Sequence, residues 1–253
     1  QFSYLSKRIF AEKQNDIFIN FIPLRTGLKE YVGNQESKIG FYFEYLPSGI
    51  SIGLNDKEEV ILASLWKVPV AMSIFKKIER GKLSLGDILV VKKDHLDQRF
   101  GTLWKRGEGI KLPVSELLKL ALTESDNTAN NVLLSQLTGQ EVNEVYRNLD
   151  VTITVSQKVS DKSAYVSPKN YSSIFRSLYL SSFLSKENSN YILNILTQSI
   201  FNDKIVAGVP STVKIAHKIG VLEGLNAAQN VFTDCGIVYV PNRPYILCGF
   251  VVG

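Results

Sequence analysis

The sequence predicts a mixed α/β (α+β) fold: an antiparallel sheet of about five strands, drawn from both chain ends and packed with helices, plus an all-helical subdomain. Three observations predict it. Aromatic and β-branched residues alternate with polar ones at 39–54 and again from 213 onward. Between about 65 and 200 the apolar spacing is helical. The chain has 253 residues, 45% hydrophobic and 21% charged, enough to bury a sizeable core.

Taken in order, Ile39 to Leu46 is aromatic-rich, Pro47-Ser48-Gly49 is a turn, and Ile50 to Gly53 alternates, so 39–54 reads as a hairpin. A helix begins near Leu65, because Pro69 is tolerated only in a first turn, and it stops before Gly81. Pro113 opens another through Leu120. Further helices fit 128–137, 140–148, 169–183 and 187–200, with Gly139 and Pro168 as punctuation. Strands return at 213–219, 228–240 and 245–252, the last two joined by Pro241-Asn242-Arg243-Pro244. Residues 1–60 and 205–253 are therefore expected to form the sheet subdomain and 61–204 the helical one. Ligand sites favour such a boundary, so a cleft is expected between them.

Composition narrows the chemistry. Two histidines, two cysteines and one methionine are too few for a cysteine-rich zinc cluster or a three-histidine site. No metal and no cofactor is expected. The net charge of +5 is modest and its basic residues are dispersed, which speaks against nucleic acid. No apolar run reaches the roughly 20 residues of a membrane span.

Three short motifs fall on the expected boundary. Ser64-Leu65-Trp66-Lys67 lies where a loop enters a helix, so the serine and lysine share one helical face. Ser73/Lys76 and Ser211/Lys214 have the same spacing without that position, and an N-cap serine is the plainer reading. Ser125-Asp126-Asn127 marks a helix junction, where a polar turn capped by Asn127 would also serve. Lys218-Ile219-Gly220 ends a strand, an unremarkable pattern alone.

Together, in this order, the motifs resemble the S-x-x-K, S-D-N and K-[ST]-G signature of the penicillin-recognising serine enzymes, meaning class A β-lactamases and penicillin-binding D,D-peptidases. The flanks Ala63 to Pro69 and Glu124 to Asn130 resemble that family too, and the likeness runs from about Leu24 to Val252. The resemblance implies a β-lactamase/D,D-peptidase-like fold and an acyl-enzyme on Ser64, formed with a β-lactam or a peptidoglycan stem peptide. Lys67 would be the base, lowered in pKa by burial and by Lys218 as a neighbouring cation. Ser125 would relay a proton to the leaving nitrogen. Asn127 would hydrogen-bond the acyl side-chain amide and help hold Lys67. Lys218 would attract the substrate carboxylate. Gly220 completes the third motif, and the backbone N–H groups of Ser64 and Val221 would form the oxyanion hole.

Two departures from the family pattern matter. Ile219 stands where Ser or Thr would hydrogen-bond the substrate carboxylate, a loss worth about 1–3 kcal/mol if nothing substitutes. The Glu-x-x-x-Asn loop of class A lactamases has no match. Between Val151 and Ser167 the one acid is Asp161, a candidate deacylating base or a solvated turn aspartate beside Lys158 and Lys162. Without an efficient water activator acylation outruns hydrolysis, so the reading leans to a D,D-peptidase-like enzyme over a lactamase, with a non-catalytic sensor domain as a further alternative.

His217, one residue from Lys218, should point to the opposite sheet face as a packing or hydrogen-bonding residue. His95 has no visible partner. Trp66, Phe100 and Trp104 read as packing, the last two also as a pocket rim. Gly107-Glu108-Gly109 lacks the third glycine of a dinucleotide site. With the last turn centred on Asn242/Arg243, Cys235 and Cys248 would sit diagonally as two buried thiols; a two-residue register change would make a bridge. The resemblance also implies an exported, monomeric cell-envelope protein, and the start at Gln1 allows for a removed N-terminal segment.

Overall fold

The computed structural model describes residues 2–5, 19–155, 163–224 and 229–253. In chain order come α1 (Ile22–Gly33), β1 (Lys38–Tyr45), β2 (Ile50–Leu54), β3 (Val60–Ile61), α2 (Lys67–Glu79), β4 (Ile88–Val90), β5 (Lys111–Pro113), α3 (Val114–Thr123), α4 (Asn127–Leu134) and α5 (Gly139–Asn148). They are followed by β6 (Thr154–Val155), β7 (Ala164–Val166), α6 (Pro168–Leu180), α7 (Lys186–Leu196), β8 (Ile215–Leu222), β9 (Val231–Val238) and β10 (Tyr245–Val252).

The five-stranded sheet runs β2-β1-β10-β9-β8 and every pairing is antiparallel. Strands from the two chain ends thus meet at β1–β10, and β8 is left as an edge. The mixed α/β architecture is the expected one. The short strands β3–β7 and helix α1 were not anticipated. Two- and three-residue strands carry no readable period, and α1 carries Gly27 in its interior, which lowers helix propensity, and buries none of its residues. It is anchored instead at its start, where Phe21 stacks on Phe43 and Tyr45 at 5.8 and 5.5 Å.

Helix α2 is the centre of the molecule. Every residue from Lys67 to Phe75 is buried. A helix apolar on all sides needs neighbours on all sides, and α3, α4, α5 and α7 supply them. Helix α6 lies across β1, β9 and β10, where the Arg176 guanidinium grips the Glu44 carboxylate, with Nε 2.9 and 3.0 Å from its two oxygens. Among the described residues no helix is long and apolar enough to cross a membrane.

The last hairpin corrects one expectation. Its turn hydrogen bond runs from Arg243 N to Val240 O, with Asn242 left-handed at φ +59°, so the turn centres on Pro241/Asn242. That shifts the register by two residues. Cys235 then faces Cys248 directly, and the two are bonded as a disulfide rather than buried as thiols.

Candidate active site

Ser64 belongs to a 3₁₀ turn, Ala63–Trp66, that runs straight into α2. It is not a capping serine: Leu62 and Trp66 hold the two N-cap positions and neither makes a side-chain cap. The turn sits on β8 of the sheet. Ala63 is held left-handed, at φ +42°. Ser125, in the loop between α3 and α4, is left-handed as well, at φ +55°. Such conformations cost of order 1–3 kcal/mol each and persist only where the surroundings over-determine them.

The surroundings of Ser125 are explicit. Lys67 Nζ donates to Ser125 Oγ (3.1 Å), to the Ser125 carbonyl and to Asn127 Oδ1 (2.7 Å). Lys218 Nζ reaches the same hydroxyl from the other side at 2.9 Å. Ser125, Lys67 and Lys218 are each 1% exposed. One hydroxyl therefore bridges two buried amines, one from the helical layer and one from the sheet edge.

Burial is what makes those amines chemically useful. Desolvation is the first cause of the lowered Lys67 pKa, which falls to about 7, with Asp126 and Asp97 pulling it back up and Arg99 down. Lys218 is not among the causes, contrary to the sequence-based expectation. The influence runs the other way: Lys218 is driven down by burial first and by the Lys67 charge second. A lysine poised near 7 can take a proton at neutral pH, and a hydroxyl touching both amines can pass one on.

The aspartate of the second motif has a structural task that its sequence did not reveal. Asp126 is fully buried. Its Oδ1 caps α4 by accepting from Ala129 N (2.8 Å), while Oδ2 accepts from Thr102 N and Leu103 N at 2.7 and 2.8 Å. This fastens the 100–103 loop to the helix junction. Gly101, at φ +86°, lets the backbone come that close: a Cβ there would collide with the Asp126 carboxylate. The cap is thus Asp126 and not Asn127, which is the first residue of α4, and the long-range partners of Asp126 are not readable from local sequence.

On the sheet side, Gly220 has no room for a Cβ, which would strike Thr233 Oγ1 and come within 3.2 Å of the Ala63 Cβ. The missing side chain is what allows β8 to approach the Ser64 turn. Tyr239 N donates to Lys214 O at 2.9 Å, so the hydrogen-bonded positions of β8 toward β9 fall at 214, 216, 218 and 220. The N–H of Val221 and the carbonyl of Ile219 therefore point to the free edge, beside the Ser64 turn. Lys218 Nζ donates to that Ile219 carbonyl at 3.1 Å. Ile219 is only 3% exposed and its side chain lies on the sheet face of His217 and Asp234, so this residue faces the Ser64 turn through its main chain.

His217 lies on the face opposite Lys218 as expected, with Nδ1 2.9 Å from Asp234 Oδ1. Asp234 Oδ2 also accepts from Ile205 N at 3.1 Å, tying down the segment before β8. His95 does have a partner: its Nδ1 accepts from Lys92 N at 3.1 Å. Phe100 and Phe201 touch, with ring centroids 5.9 Å apart, and Lys218 Nζ lies 5.9 Å from the Phe201 ring. Asp161 lies outside the described residues.

Residues 23–253 match a family model described as the beta-lactamase enzyme family. Among curated proteins, the chain is 22% identical to beta-lactamase VEB-1 of Pseudomonas aeruginosa over 214 residues, covering 78% of this chain and 71% of the relative. It is 23% identical to the extended-spectrum beta-lactamase PER-1 of the same organism, covering 78% and 69%. Among solved structures, PBP-A superimposes with a TM-score of 0.81 at 25% identity, covering 91% of this chain and 87% of that one. An ancestral class A beta-lactamase, GNCA, gives 0.79 at 21% identity over 90% of each chain.

Proposed function

This chain belongs to the beta-lactamase enzyme family of serine hydrolases, and from that premise we propose that Ser64 is its nucleophile, attacking the carbonyl of a β-lactam or of a D-Ala-D-Ala-type peptide. The observation that carries this reading is the Ser125 hydroxyl held 3.1 and 2.9 Å from two buried amines, one on each side.

Neutral Lys67 takes the Ser64 proton as Oγ attacks, and the oxyanion is met by the N–H groups of Ser64 and Val221. Ser125 delivers a proton to the departing nitrogen and is resupplied from the lysine pair. Lys218 and the edge of β8 receive the carboxylate-bearing end of the substrate, and Asn127 receives the amide on the acyl side. Gly220 keeps the edge close enough to act.

Within this class we favour a D,D-peptidase-like enzyme with a slowly released acyl group. The support is the 151–167 segment, which has Asp161 as its one acid and no Glu-x-x-x-Asn pattern. The likeness to PBP-A points the same way, since a mutant of that protein was captured as an acyl-enzyme with penicillin G. Efficient lactam hydrolysis is the second reading, favoured by the curated relatives named beta-lactamases. A cell-envelope location fits both, and a disulfide such as Cys235–Cys248 persists in an oxidising compartment.

A mass-spectrometric time course with benzylpenicillin separates the outcomes. A stable adduct lost in Ser64→Ala supports the first reading. Rapid product formation with no accumulated adduct supports the second. Neither adduct nor product at saturating drug overturns the acyl-serine assignment.

A further inference from the structure

Asn127 makes two side-chain hydrogen bonds of opposite sense. Its Oδ1 accepts from Lys67 Nζ at 2.7 Å, and its Nδ2 donates to Asp97 Oδ1 at 3.1 Å. Asp97 belongs to none of the three motifs. It lies in the loop after His95, and its side chain is 10% exposed. That loop is fixed to α4, because Asp97 N donates to Thr128 Oγ1 at 3.0 Å. The carboxylate itself is gripped by Arg99, through the backbone N at 2.9 Å, Nε at 3.0 and 3.1 Å, and the terminal guanidinium nitrogen.

A primary amide has two ends of nearly equal shape and opposite hydrogen-bonding character. While Lys67 is an ammonium it can only donate, so it holds Oδ1 toward itself. A base must be neutral, and a neutral amine both donates and accepts. At the moment Lys67 is ready to act it no longer discriminates between the two ends of Asn127. A carboxylate only accepts, so Asp97 then remains as the constraint on the amide. The Arg99 guanidinium holds the Asp97 carboxyl at about 2, so the constraint is charged throughout the neutral range.

We propose that Asp97 is a positioning residue for acyl transfer: its Arg99-pinned carboxylate keeps the Asn127 amide oriented with Nδ2 outward from Lys67, leaving the second amide hydrogen for a carbonyl on the acyl side of the substrate. The proposal rests on the acyl-serine reading above and specifies which substrates depend on it. Those with an acyl-side amide carbonyl need the oriented donor; those without one do not.

The test compares acylation of the wild type and Asp97→Asn by benzylpenicillin, which has the side-chain amide, and by 6-aminopenicillanic acid, which lacks it. An asparagine at 97 presents either an oxygen or an N–H, so the lock is lost at nearly constant volume. Expected are a fall of about tenfold or more for benzylpenicillin and of less than about threefold for the amide-free lactam. A second readout is the pH profile of acylation. The charged groups around Lys67 are Asp126, Asp97 and Arg99, with the Lys218 amine across Ser125. Removing the Asp97 anion favours the neutral amine, so the acidic limb should move to lower pH. Wild-type rates with both lactams, or equal falls with both and an unmoved limb, overturn the proposal. A wild type acylated by neither lactam overturns the acyl-serine reading instead.

Discussion

Lys67→Met isolates what it costs this fold to hold a base. The lysine is buried, and its pKa falls from 10.5 to about 7. With the folded value below the unfolded one, the unfolded chain binds more protons between pH 7 and 10.5, so this group's contribution to stability rises with pH through that window. At about 1.4 kcal/mol per unit, Lys67 destabilises the native state by about 4 kcal/mol at pH 7 and by about 1 kcal/mol at pH 9.5. Methionine removes that penalty. It also removes three hydrogen bonds, to the Ser125 carbonyl, Ser125 Oγ and Asn127 Oδ1. Their loss costs about 1 kcal/mol each and is nearly independent of pH. The absolute stability change at pH 7 is thus a small difference of larger numbers. The pH dependence is not: relative to wild type, the variant should lose about 3 kcal/mol between pH 7 and 9.5. Urea unfolding of both proteins at three pH values in that range measures it. A stability difference constant to within about 1 kcal/mol would refute a burial-depressed Lys67. The same variant should acylate at least about a hundredfold more slowly, having lost its base.

Other consequences can be checked separately. Wild-type acylation should rise through pH 7, because the neutral form of Lys67 is the competent one; a rate flat from pH 5.5 to 8.5 would contradict that. Gly220→Ala should reduce acylation at least about tenfold by pushing β8 off the Ser64 turn, and adding Thr233→Ala should recover part of the loss, since the Thr233 hydroxyl is the first atom in the way. Unreduced protein should take up no iodoacetamide after unfolding and two equivalents after reduction, and closing the 13-residue separation should stabilise the fold by about 3 kcal/mol. Asp161→Asn should leave the lifetime of the acyl-enzyme unchanged if this residue is a solvated turn acid, whereas a lifetime lengthened tenfold would make it the deacylating base.

Much of the fold was legible because local chemistry wrote it down. The 39–54 hairpin and the Pro113 helix start depend on neighbours in sequence. The register of the last hairpin was not legible, because a turn of four residues accepts either of two centres, and only the pairing of β10 with β1 and β9 chooses between them. His95 and Asp97 show the same limit: a charged loop conceals that one residue is buried at 6% exposure and that the other touches Asn127.

Local sequence was enough to propose a set of reacting groups: serine and lysine at one helical turn, then a second serine and a second lysine in a set order, because reactivity depends first on side-chain type. The environment of those groups came from the packing. Lys67 and Lys218 lie 151 residues apart in sequence, yet both reach the Ser125 hydroxyl and both lose their water there. Desolvation is a property of everything packed around an atom, so no local stretch of sequence encodes it. For the same reason Asp97 gained a role only when folding laid its loop against the start of α4.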